Sequence, residues 1–197
     1  MFYNYSSGSQ MENKANIEEG KKAFFVLFGE GNSGKTSTLR QLICMLSGIT
    51  QAPDKADVRV IVKYRDKYIY IATYGDIKEQ ICKNILFFEG EYTGKVFFID
   101  KSNVEEFSIS RYDKFFSPSI FISASRPSGG AVTMNLAFAQ TVMNNLDYHF
   151  WVRKEKDKTA DKVVPPYDHN NPSPSDKAMA KHLKDLIDKV IDNKLIP

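Results

Sequence analysis

Six apolar residues, Ala23 to Phe28 (AFFVLF), run straight into a glycine-studded loop, GEGNSGKT, at residues 29–36. No other stretch restricts the fold as much. An apolar run without polar alternation fits a strand buried on both faces. After the loop, TSTLRQLICMLSG spaces Leu39, Leu42, Ile43 and Leu46 along one helical face, and Gly48 stands where such a helix would end. Strand, glycine turn and helix in this order open an α/β unit.

The rest of the chain continues that alternation. VRVIVKY (58–64) and YIYIAT (68–73) read as strands separated only by Arg65, Asp66 and Lys67. So short a link cannot make a parallel crossover, so the two form an antiparallel hairpin. DIKEQICKNILFF sets Ile77, Ile81, Cys82, Ile85 and Leu86 on one stripe of a helix. VFFID (96–100) and SIFISAS (119–125) are further strands, residues 128–146 a mostly buried helix, and YHFWV (148–152) the next strand. The expected class is α/β, three-layered, with a mainly parallel sheet and one antiparallel hairpin strand.

Residues 1–20 are polar and unpatterned and read as a loose tail. Residues 21–152 make the domain, and residues 153–172 a charged, proline-bearing loop. In residues 173–197, Ser173 is suited to cap a helix, Pro174 to its first position and Asp176 to a capping box. The stripe Met179, Leu183, Leu186, Ile187, Val190 and Ile191 either docks on the domain or enters a partner's groove. A net charge of +3 with interspersed signs calls for no nucleic-acid or membrane partner. Cys44 and Cys82 lie in apolar helical runs and read as buried free thiols, which favours a reducing, cytoplasmic setting. His149, His169 and His182 have no zinc-ligand spacing.

Gly29, Gly34, Lys35 and Thr36 satisfy G-x-x-x-x-G-K-T, the Walker A pattern, with a strand before it and a helix after it. In residues 22–46 the chain resembles the P-loop NTPases. The resemblance implies a loop, Gly29, Gly31, Asn32, Ser33 and Gly34, whose amides form an anion nest backed by the helix N-terminus. It implies that Lys35 reaches the β and γ phosphates, that Thr36 ligates Mg²⁺, and that Ser37 contacts the α phosphate.

The hairpin resembles the GTPase-like branch, in which a strand ends in D-x-x-G. Here it ends ATYGD: Gly75 matches the glycine, Ala72 stands in the Asp position, and Asp76 follows as a water-orienting residue or a helix N-cap. N-K-x-D is missing after YHFWV, so ATP is expected rather than GTP. Asp100, after VFFI, resembles a Walker B metal carboxylate or simply ends a strand before a turn. Arg126 leaves a strand just before Ser128-Gly129-Gly130 opens a helix, a setting for an anion, or else is solvated.

Together these lead to an expectation of Mg²⁺-dependent ATP binding and hydrolysis, with Lys35, Asp76 and Arg126 as the catalytic set. A phosphotransferase using Arg126 at its acceptor site is the alternative enzyme. A nucleotide-sensing adaptor, which would contact a protein through the last helix or residues 153–172, is the non-enzymatic one.

Overall fold

The computed structural model describes residues 22–53, 57–75, 78–90, 94–109, 118–127, 129–142, 148–154 and 173–194. The expected tail, Asp76, Ser128 and nearly all of the charged loop lie outside them. In chain order the elements are β1 (Ala23–Phe28), α1 (Lys35–Ser47), β2 (Arg59–Tyr64), β3 (Lys67–Ala72), α2 (Lys78–Glu89), β4 (Gly94–Asp100), β5 (Asn103–Ile109), β6 (Ile120–Ser125), α3 (Gly130–Val142), β7 (Tyr148–Arg153) and α4 (Pro174–Ile191).

The strands form one mixed sheet, ordered β5-β4-β2-β3-β6-β1-β7. β1 is buried because both its faces are covered. Ala23, Phe25 and Leu27 pack with the inner faces of α1 and α4, while Phe24 and Val26 pack with Ile81, Phe87 and Phe138 of α2 and α3. Pleating turns alternate residues to opposite faces, so a two-sided core requires the unbroken apolar run.

One expectation about the sheet needs correction, the number of reversed strands. β2 pairs antiparallel with β3 and parallel with β4, so β2 and β4 both run against β1, β3, β6 and β7. A second hairpin, β4–β5, closes through Lys101 and Ser102 with Asp100 opposite Asn103. Its outer strand, NVEEFSI, lies at the sheet's rim and its described side chains are exposed, so it carries no apolar run to announce it. In the sheet, β6 separates β3 from β1 through parallel ladders on both sides.

α4 starts as its sequence dictates. The Ser173 hydroxyl accepts from the Asp176 amide at 3.2 Å, Asp176 Oδ2 accepts from the Ser173 amide at 3.2 Å, and proline follows the cap. Its apolar stripe buries Ala180, Leu183, Ile187 and Val190 against the α1 side of the core. That stripe is therefore not open to a partner's groove. Cys44 and Cys82 are free and half-buried rather than fully buried, and burial pushes the Cys44 thiol up from its ordinary value. None of the described helices is long and apolar enough to cross a membrane.

Candidate functional site

β1, β3, β6 and β7 are mutually parallel, so their C-terminal ends share one edge of the sheet. The glycine loop leaves β1 at that edge. The Gly29 amide donates to Ser125 O at 3.1 Å, and the Lys154 amide donates to Phe28 O at 2.7 Å. The loop's start is thus held between the ends of β6 and β7. A Cβ at Gly29 would strike Lys154 O and approach Ser33 Oγ at 2.8 Å, so only glycine fits. A Cβ added at Gly31 would meet no atom within 4 Å, so the steric demand falls on Gly29 and Gly34 instead.

Gly34 is the N-cap of α1 at φ 84, a left-handed conformation natural to glycine. It offers no side-chain cap, and the first turn contains no acid. The leading amides of α1 therefore meet the mouth of the loop without a side-chain cap, and the positive end of the helix points there. Asn32 is also left-handed, at φ 59, which helps fold the loop back on itself. Ser33 is buried, and its hydroxyl has no hydrogen-bond partner among the described residues.

Lys35 occupies the first position of α1, where a cation opposes the helix dipole. It is 4% exposed, and its ammonium donates to Gly29 O at 3.0 Å and Glu30 O at 2.9 Å. Two loop carbonyls thus hold a charge suited to an anion. The Thr36 hydroxyl donates to Thr73 O at 3.2 Å, joining the first turn of α1 to the exit of β3. Ser37 is buried behind it.

Gly75 lies at the same edge, at φ 152. A Cβ there would overlap Ala124 O, so the backbone after β3 passes directly against β6. Ala72 is fully buried, and among the described residues no carboxylate replaces it at the end of β3. Arg126 leaves β6 at this edge and is exposed. Asp76, the water-orienting or capping candidate after Gly75, is outside the described residues.

Asp100 does not join this group. It ends β4, which runs opposite to β1, so it stands at the far edge of the sheet, paired with Lys63 at 3.0 Å. Its expected metal role is withdrawn: the apolar run before an aspartate indicates a strand end but not the direction of the strand. Among the described residues, no three His, Cys, Asp or Glu side chains cluster as metal ligands.

Two features of this edge have little signature in sequence. Lys154 and Asp176 form a buried ion pair, Nζ to Oδ1 at 3.2 Å, directly behind the loop. Arg59 is also buried; its Nε donates to Asn84 Oδ1 at 2.9 Å, and its guanidinium lies over the Tyr74 ring, 5.2 Å from the centroid. The arginine at an inward position of VRVIVKY was the available clue to the second. For the first, only the capping box around Asp176 was legible.

Comparison with protein-family models, curated proteins and solved structures gives no match.

Proposed function

We propose that the chain binds a nucleoside triphosphate, ATP by default, and hydrolyses it with Mg²⁺. The observation that carries this reading is the uncapped, left-handed start of α1 at Gly34, with the Lys35 ammonium held by the carbonyls of Gly29 and Glu30. Amides and an ammonium converging on one loop mouth suit phosphate oxygens. The buried Ser33 hydroxyl adds a polar group without a partner among the described residues. Lys35 would exchange its two carbonyls for phosphate oxygens and neutralise charge that builds during transfer. Thr36 would hold the metal, which polarises the phosphate and offsets its charge. Arg126, exposed at the same edge, would meet outlying phosphate or an acceptor group.

A second reading, a nucleotide sensor that turns over little, draws support from the buried Ala72. Without an acid there, metal or water must be served by Asp76 or by a partner. Binding and turnover of ATP and GTP with Mg²⁺, measured for the wild type and Lys35→Ala, separate the outcomes. Binding lost in the variant and ADP formed by the wild type support the hydrolase. Binding without ADP supports the sensor. Equal ATP affinity in both proteins would sink the phosphate reading altogether.

A further inference from the structure

Asp176 does more than cap α4. Its Oδ2 is committed to the Ser173 amide at 3.2 Å. Its Oδ1 meets Lys154 Nζ at 3.2 Å and accepts from Thr38 Oγ1 at 3.4 Å, and it lies so close to Gly34 that a Cβ there would overlap it. A cap works equally well in solvent and requires neither burial nor a lysine. Yet Asp176 is 5% exposed and Lys154 3%.

Lys154 grips the other end of the loop. Its amide donates to Phe28 O at 2.7 Å, its carbonyl closes the space beside Gly29, and its ammonium donates to Ser175 Oγ at 2.8 Å. The ion pair therefore spans the base of the glycine loop, with Lys154 at Gly29 and Asp176 at Gly34. The charges also balance. A lone carboxylate beside the first turn of α1 would repel an incoming anion, and Lys154 cancels that repulsion.

We propose that Lys154 and Asp176 are positioning residues that set the spacing of the two ends of the glycine loop, and that through them phosphate occupancy of the loop and docking of the α4 N-terminus are coupled. This rests on the phosphate-binding reading above. Neither residue touches the ligand. Coupling is reciprocal: if a docked α4 tightens binding, a bound phosphate must also steady α4.

The test uses the full chain, with ATP plus Mg²⁺ and, separately, pyrophosphate as probes. Affinity and backbone hydrogen exchange over residues 173–180 are measured in the wild type, Asp176→Asn and Lys154→Met/Asp176→Asn. Asparagine keeps an acceptor for the cap, and the double variant leaves no unpaired buried charge. In the wild type, either probe slows exchange over residues 173–180. In the double variant that slowing disappears and affinity falls about tenfold, within the usual range of coupling between sites. Asp176→Asn leaves the Lys154 ammonium unpaired, which by charge alone favours an anion, so weaker binding in this variant shows that spacing matters, whereas tighter binding with the slowing over residues 173–180 retained would overturn the proposal. Wild-type affinity with retained slowing in the double variant would overturn it too. Should the double variant fail to fold, the wild type decides, since unchanged exchange on probe binding refutes the coupling. If the wild type binds neither probe, the phosphate reading falls and this inference with it. If it binds and Lys35→Ala abolishes binding while the double variant is unaltered, this inference alone falls.

Discussion

Two lysine–aspartate pairs stand at opposite edges of the sheet. Lys154–Asp176 lies at the glycine-loop edge, 3.2 Å apart, with side chains 3% and 7% exposed. Lys63–Asp100 lies at the far edge, 3.0 Å apart, with side chains 42% and 35% exposed. The residue types are the same and the distances nearly so, but their surroundings differ completely. In the buried pair each charge depends on the other, because water cannot replace a lost partner. In the exposed pair water and salt replace it readily. Separation alone therefore says little about what an ion pair does. Strand direction and burial decide which pair can govern the site.

The largest expected effect is at the buried pair. Asp176→Ala removes the carboxylate facing Lys154, the acceptor for Thr38 and half of the capping box. Breaking a buried pair from one side costs about 3–5 kcal/mol, which chemical denaturation would read as a large fall in midpoint. A loss within experimental error would mean that Lys154 escapes to solvent and that the two edges are not so different.

Next comes Lys35→Ala, which affects binding more than folding. Loss of the ammonium should weaken ATP binding at least about 100-fold, or roughly 2.7 kcal/mol. The unfolding free energy of the ligand-free protein should change by about 1 kcal/mol or less, since the hydrogen bonds lost to Gly29 O and Glu30 O are offset by removing a cation from the positive end of a helix. Calorimetric titration and denaturant melts on the same samples check both halves. Asp100→Asn, run in parallel at the far edge, should bind ATP as the wild type does.

The same contrast explains what was legible in the sequence. The glycine loop, β1, α1 and the capping box of α4 were legible because each is local: a period, a motif or a fixed offset specifies it. Asp100 misled because VFFID is equally local, while the direction of β4 depends on partners far away in the chain. Strand β5 went unread because an exposed rim strand needs no apolar pattern. The order β3-β6-β1 left no trace either, since both β3 and β6 are short, apolar and buried. The Lys154–Asp176 pair joins residues separated by the charged loop, and no spacing rule links them. Local chemistry thus identified the loop, and tertiary direction decided which charges accompany it.

Glycines sharpen the contrast at backbone level. Gly75, at the loop edge, combines φ 152 with a Cβ position overlapping Ala124 O, whereas Gly48, at the far end of α1, has φ 79 and no atom within 4 Å of its Cβ position. Gly48→Ala should cost only left-handed strain, about 1–2 kcal/mol. Gly75→Ala carries a backbone collision in addition, should cost more than Gly48→Ala in a denaturant melt, and should displace Thr73 O from Thr36. Equal losses would show that the β3 exit can shift away from β6 without difficulty.

The smallest effect is expected at the exposed pair, and its sign can be stated. Lys63 is held above its ordinary value, first by its hydrogen bond to Asp100 and then by the attraction between their charges. A raised amine pKa means that the pair's contribution is fully present below the ordinary lysine value, about 10.4, and is lost as pH rises through the folded-state value. The relevant window is therefore alkaline, and acidification toward neutrality leaves Lys63 charged. Asp100→Asn should give the wild-type melting midpoint at neutral pH in moderate salt. At low salt the wild type should lie slightly above the variant, and the two stability profiles should converge as pH climbs past the lysine range. A pH series of melts at two salt concentrations would resolve this. A tenfold fall in ATP affinity or turnover in Asp100→Asn, with the midpoint unmoved, would bring this carboxylate to the phosphate after all and overturn the assignment of the two edges from strand direction.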